Sequence, residues 1–243
     1  YLDKNIWTDT AEWQGKKYWP LGPFPAVALL PLVALFGTDL LQGYFSFILT
    51  ILNFYLLWKI AKKLGVASAD ALWLAAFFIF GSVYLGVAAF SVSWYFAQVV
   101  AVTLLLLALE DGPHSLMSED RPRSWWLIGA YLSAAVLTRS NLILASLFFI
   151  LMVFFESARA PEQDQAPVNR SSQNFILRQA QEIKFWFFKK SNQIIALFQL
   201  LSPLLLAGFL LLLYNFARFG NIFESGYNLQ DIAPAHKAAR DIG

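Results

Sequence analysis

The sequence predicts an all-α, polytopic membrane protein of about six transmembrane helices plus a short proline-rich juxtamembrane or re-entrant helix. Three observations carry that expectation. The 243 residues are 58% hydrophobic and only 14% charged, with a mean hydropathy of +0.53, outside the range of ordinary soluble domains. Charge-free apolar runs recur at lengths that match a hydrocarbon core of about 30 Å. Near the start, an apolar stretch is interrupted by proline before it reaches spanning length.

That stretch is DTAEWQGKKYWPLGPFPAVALLPLVALFG, residues 9–37, where a polar, acidic and aromatic segment runs into an apolar one. Pro20, Pro23, Pro25, Pro31 and Gly22 argue against a regular span, because each proline removes a backbone donor that lipid cannot replace. Residues 24–37 amount to roughly 21 Å of helix, too short to cross. A juxtamembrane helix over 24–37, after an extracytoplasmic loop over 1–23, is the expected arrangement. Non-spanning helices of this kind persist at membrane depth when they pack on protein or line a wet cavity, and such a cavity is where chemistry is expected.

The remaining spans follow in order. Residues 40–58 carry no charge and are followed by Lys59, Lys62 and Lys63, a helix with a basic stop. Residues 71–109 have no charge over 39 positions, close to twice the length one crossing needs, and read as a hairpin of helices 71–90 and 93–109 with its tip at FSVSW. Residues 124–155 contain one charge, Arg139 in LTRSN, and read as helices 124–138 and 141–155. A turn there spares the guanidinium the bilayer midplane, a cost of several kcal/mol. Residues 193–217 form the last run. Residues 156–192 read as a cytoplasmic loop in which FILRQAQEIKFWFFKK lies on the membrane surface, and 218–243 as an extracytoplasmic segment.

An even number of crossings returns both ends of the chain to one side, together with the tips at FSVSW and LTRSN. Loops 59–70, 110–123 and 156–192 hold 11 of the 18 Lys and Arg, which makes them cytoplasmic. Asp9, Glu12, Ser91, Ser93, Arg139, Arg218 and Glu224 then share the extracytoplasmic side. The whole chain, 1–243, reads as one partial transmembrane domain, a fragment of a longer protein.

Several chemistries are left without support. Cysteine is absent, so there is neither a disulfide framework nor a thiolate, which suits an oxidising compartment. A net charge of +2 with no basic cluster beyond the loops gives no nucleic-acid signal. His114 and His236 lack ligand-spaced neighbours, and no phosphate-binding glycine loop or nucleophile elbow is present.

Asp9 and Glu12 are three apart and on a helix would share a face, as base and orienting carboxylate or as holders of a divalent cation such as Mg or Mn; the other reading is a solvated loop. No motif demands a cofactor. In YNFARFGNIFESGY, Arg218 at the end of an apolar run is either a fork for a lipid phosphate or an interfacial anchor. Arg139 carries the same two readings.

GKKYWPLGPFPAVALLPLVALFG resembles the juxtamembrane segment of polytopic GT-C glycosyltransferases related to protein O-mannosyltransferases and the lipid A aminoarabinose transferase. AAVLTRSNLILA is similar to that family's fifth-to-sixth helix turn, and YNFARFGNIFESGY resembles the Tyr-Asn-x-x-Arg-Phe-Gly…Gly-Tyr element after the seventh helix of many bacterial members. The resemblance implies a polyprenyl-phosphate-linked sugar donor and inverting transfer to a glycan, lipid or protein acceptor, outside the bacterial inner membrane. It implies Asp9 or Glu12 near the acceptor, Arg139 and Arg218 on the leaving phosphate, Tyr18, Trp19 and Tyr227 stacked on sugar or polyprenyl, and Glu224 within the binding region. It also places the main catalytic acid upstream of Tyr1, and sets Ser91, Ser93 and Trp94 where several members carry an Asp. The competing expectations are a transporter or flippase, which would also use broken helices and an intramembrane Arg, and a non-catalytic scaffold.

Overall fold

A computed structural model describes residues 10–37, 40–112, 124–159 and 175–229, with only the backbone described over 156–159 and 175–190. Among these residues lie a two-stranded hairpin, eight α-helices and a 3-10 turn.

The segment expected as loop contains the hairpin. Strand β1 (Ala11–Trp13) pairs antiparallel with β2 (Lys16–Tyr18), Ala11 opposite Tyr18 and Glu12 opposite Lys17. Gln14 and Gly15 turn the chain at φ 51° and 72°, the positive pair that a two-residue hairpin turn needs. Helix α1 (Phe24–Phe36) starts behind Pro23, which needs no donor there, and stops at Gly37 with φ 75°. Its span agrees with the juxtamembrane helix expected over 24–37, and Leu29 packs it onto Phe96, Val100 and Ala135.

Helix α2 (Gln42–Lys63) is followed by α3 (Ser68–Phe80), α4 (Tyr84–Phe90) and α5 (Ser93–Asp111). The α3–α4 pair bends by 55° at Gly81 to Val83. Ser82 bridges the break, its hydroxyl donating to the Phe78 carbonyl (2.6 Å) and accepting from the Tyr84 amide (3.1 Å). Asn53 Nδ2 donates to Tyr84 Oη at 2.7 Å, Thr50 Oγ1 lies 3.3 Å from the same oxygen, and the Ser46 hydroxyl donates to the Ala88 carbonyl. These bonds join α2 to the far side of the break, where lipid offers no substitute partner. The chain then turns at Ser91 (φ 42°), within the tip expected at FSVSW.

Helix α6 (Trp125–Thr138) ends at Arg139, a 3-10 turn (Ser140–Leu144) follows, and α7 (Ala145–Arg159) leads away. The tip expected at LTRSN is therefore present. Helix α8 (Phe175–Phe219) is continuous over 45 residues, so FILRQAQEIKFWFFKK is joined to the last apolar run as one helix, where a loop was expected through 192. The largest core cluster sits between α6 and α8, with Ile128, Leu132, Leu200 and Leu204 buried together. Gly129 makes that approach possible, since a Cβ there would lie 2.5 Å from the Leu200 carbonyl oxygen.

Among the described residues, three stretches are long and apolar enough to cross a membrane: α2, α5 and Ser191–Phe219 of α8; the bent α3–α4 pair would make a fourth. The count differs from the expected six because α6 has 14 residues and the apolar part of 140–155 is similarly short. The outer faces are apolar, with Trp73 75%, Phe77 72%, Phe198 71% and Leu205 75% exposed, a surface suited to lipid and poorly suited to water.

Candidate functional site

The hairpin, the start of α1, the α4–α5 tip, the Arg139 turn and the end of α8 meet at one end of the helices. Gly22 fixes the meeting point. A Cβ on it would lie 2.0 Å from the Leu137 carbonyl oxygen, so only glycine lets the Pro20 to Pro23 segment lie against the end of α6.

Two adjoining cavities flank that contact, sharing Leu21, Gly22 and Tyr214 as their wall. The larger, about 360 Å³, is lined by Lys17, Tyr18 and Trp19 from the hairpin and its exit, Pro25, Ala26 and Leu29 of α1, Gln42, Ser93, Phe96 and Arg218. The smaller, about 270 Å³, lies between the Arg139 turn and the end of α8, and is lined by Thr138, Arg139, Ser140, Leu211, Leu212, Asn215, Ile222, Phe223 and Tyr227 among others.

The two arginines sit in different cavities and in different states. Arg218 Nη2 donates to the Trp19 carbonyl oxygen, and its guanidinium carbon lies 5.2 Å, 4.7 Å and 4.8 Å from the ring centres of Tyr18, Tyr214 and Phe219. Tyr18 also packs edge-on against Phe219 at 5.5 Å. Cation–π contacts of this kind contribute roughly 0.5–2 kcal/mol each, so Arg218 ties the hairpin to α8. Arg139 is half-buried, and its Nε is fully buried without a hydrogen-bond partner among the described residues. Neither arginine has a carboxylate within ion-pair distance among the described residues.

The other expected site residues divide. Tyr18 and Trp19 line the larger cavity and Tyr227 the smaller, with the Tyr227 ring 6.0 Å from that of Trp94 at the α4–α5 tip. Glu224 lines neither; its carboxylate accepts from the Gly226 amide at 2.7 Å and holds its own turn. Glu12 is exposed on β1, its amide bonded to the Leu229 carbonyl at 3.2 Å, and it lines neither cavity. The helical face expected for Asp9 and Glu12 is therefore not formed at Glu12, because strand pairing alternates side chains and turns Ala11 inward and Glu12 outward. Asp9 lies outside the described residues. Among the described residues no three His, Cys, Asp or Glu cluster as metal ligands, and Glu12 opposite Lys17 does not fit a divalent-cation site by itself.

Three residues to which the sequence assigned no role belong to the site, two of them within the Tyr-Asn-x-x-Arg element. Tyr214 stands one helical turn before Arg218, a spacing that could have been read as a ring beneath the guanidinium. Asn215 is buried and its Nδ2 donates to the Ile222 carbonyl at 3.2 Å, folding the exit segment back over the smaller cavity. Gln42 turns an unpartnered, buried Oε1 at the larger cavity, and nothing in the sequence separates it from an ordinary interfacial amide. In comparisons with known proteins, no family model, no curated protein and no solved structure matches this chain.

Proposed function

We propose that this chain is the membrane domain of a glycosyltransferase that moves a sugar from a polyprenyl-phosphate-linked donor to a glycan, lipid or protein acceptor on the extracytoplasmic face of a bacterial inner membrane. The observation that carries the reading is the convergence of both ends of the described chain on two adjoining cavities lined by two arginines that have no carboxylate partner among the described residues. In this reading α6 and the 140–155 stretch are also crossings, which restores six spans and an even count.

In the reaction, the acceptor oxygen attacks the anomeric carbon while the bond from that carbon to the phosphate oxygen breaks. The electron pair leaves with the lipid phosphate, which a cation stabilises, and a carboxylate takes the acceptor's proton. Since Glu12 lines neither cavity, the proton goes to Asp9 or to an acid outside the described residues. The aromatic wall of Tyr18 and Trp19, with Gln42 and Ser93, suits a hydroxyl-rich ring in the larger cavity.

The bent α3–α4 pair favours a second reading, a transporter or flippase, since interrupted helices are common in such proteins. Membranes containing the full-length protein, supplied with a radiolabelled polyprenyl-phosphate sugar, separate the two. Transfer of label to an acceptor supports the transferase. Movement of label across liposomes without transfer contradicts it.

A further inference from the structure

We propose that residues 91–95, the tip between α4 and α5, are a gate to the larger cavity, held shut in this structure by the Trp94 ring lying against Tyr227. The gate rests on the geometry of the tip and serves the transferase and the transporter readings alike.

Three features of the tip are unfavourable in this arrangement. Ser91 has φ 42° and ψ 22°, a left-handed conformation that is costly for a residue with a Cβ and open to glycine. Its hydroxyl is buried, the residue being 5% exposed, and has no hydrogen-bond partner among the described residues. The Trp94 indole N–H, three residues further on, is also buried without a partner among them. Backbone strain and unsatisfied polar groups gathered on so few residues point to a second arrangement, in which Ser91 relaxes and both groups reach water.

One contact opposes that change. The Trp94 ring lies 6.0 Å from the ring of Tyr227, which ties the tip to the segment after α8. An aromatic pair biases an equilibrium by about 2- to 10-fold, and a left-handed residue biases it by about 5- to 30-fold in the other direction. The two are close enough in size for the tip to open and close.

The moving part is short because both of its flanks are fixed. Helix α4 is bonded to α2 through the Ser46 hydroxyl on the Ala88 carbonyl and Asn53 Nδ2 on Tyr84 Oη. Phe96, 1% exposed, anchors α5 in the core beside Leu29 and Ala135. Between them, Val92 is 59% exposed and free of packing that would hold it in place. Ser93 lines the larger cavity and Tyr227 the smaller, so a tip that leaves Tyr227 opens the first to water and releases a wall of the second.

The test uses the full-length protein in detergent, with Ser93→Cys as reporter and its rate of modification by a charged, water-soluble thiosulfonate as the readout; this chain brings no cysteine of its own. Trp94→Leu is expected to speed the modification about 2- to 10-fold. Ser91→Gly removes the conformational cost and the unpartnered hydroxyl together, and is expected to slow it about 5- to 30-fold. Ser133→Cys, buried in α6, serves as the control and is expected to react at the same rate in both backgrounds. A Ser93→Cys rate that either substitution leaves unchanged, or that Ser91→Gly raises, overturns the gate. Equal acceleration at Ser133→Cys overturns it too, because the whole bundle would then have loosened. Where Trp94→Leu does not fold, Tyr227→Leu removes the same contact from the other side: faster modification of Ser93→Cys supports the gate, and an unchanged rate overturns it.

Discussion

The two ends of this helical assembly treat charge in opposite ways. At one end, Lys59 of α2 lies 2.6 Å from the Glu110 carboxylate of α5, and Lys63 bonds both that carboxylate and the Glu110 backbone carbonyl. Lys63 and Glu110 are largely buried, with side-chain exposures of 15% and 11%, while Lys59 is 40% exposed, so the buried carboxylate is met by two cations. At the other end, Arg139 and Arg218 have no acid within reach among the described residues, and each opens onto a cavity. Structural charge in an apolar environment is neutralised within the protein, as at Glu110. Charge kept without a carboxylate among the described residues is held by aromatic rings and a carbonyl at Arg218 and lines the smaller cavity at Arg139.

Removing Glu110 breaks this comparison most severely. Glu110→Ala removes the carboxylate that Lys59 and Lys63 share, and a loss of about 3 kcal/mol is expected, visible as a lower melting temperature in detergent. Arg218→Ala removes a carbonyl bond and three ring contacts at the open end. A loss of roughly 2 kcal/mol is expected, together with faster proteolysis of the hairpin as it comes away from α8.

Gly22→Ala sharpens the comparison without touching a charge. Its Cβ would overlap the Leu137 carbonyl, so the segment must shift, at a cost of about 1–3 kcal/mol read as a lower melting temperature, and both cavities should change shape together. Tyr84→Phe is the mildest. It deletes one hydroxyl shared by Asn53 and Thr50 at the α3–α4 break, and about 0.6–1.7 kcal/mol is expected in melting experiments, with no effect at either charged end.

The sequence made the scaffold legible where hydropathy, length and proline act alone. The helix at 24–36, the tips near Ser91 and Arg139 and the placing of Arg139 and Arg218 at one end follow from counting apolar residues against bilayer thickness, whereas Tyr18, Trp19 and Tyr227 were marked by the family resemblance alone. The hairpin at 11–18 was harder to see, although Gln14–Gly15 between Trp13 and Lys16 is a two-residue turn signal, because its three-residue strands are too short to show an alternating pattern and the whole of 1–23 reads as loop. The division between the arginines could not be read at all. Both stand at the ends of apolar runs, and only the fold shows that Trp19, distant in sequence, supplies a carbonyl to one and not the other.

The absence of cysteine from the chain makes its sidedness directly measurable. Single cysteines at Glu12, Asn228 and Lys62, each labelled in intact cells with a maleimide that cannot cross the membrane, test whether the hairpin and the exit segment share one aqueous face opposite the lysine cluster. Labelling of Glu12→Cys and Asn228→Cys from outside, with Lys62→Cys protected until the membrane is opened, is the result expected here. Reaction of Glu12→Cys and Asn228→Cys from opposite faces would separate the two walls of the site and contradict the account.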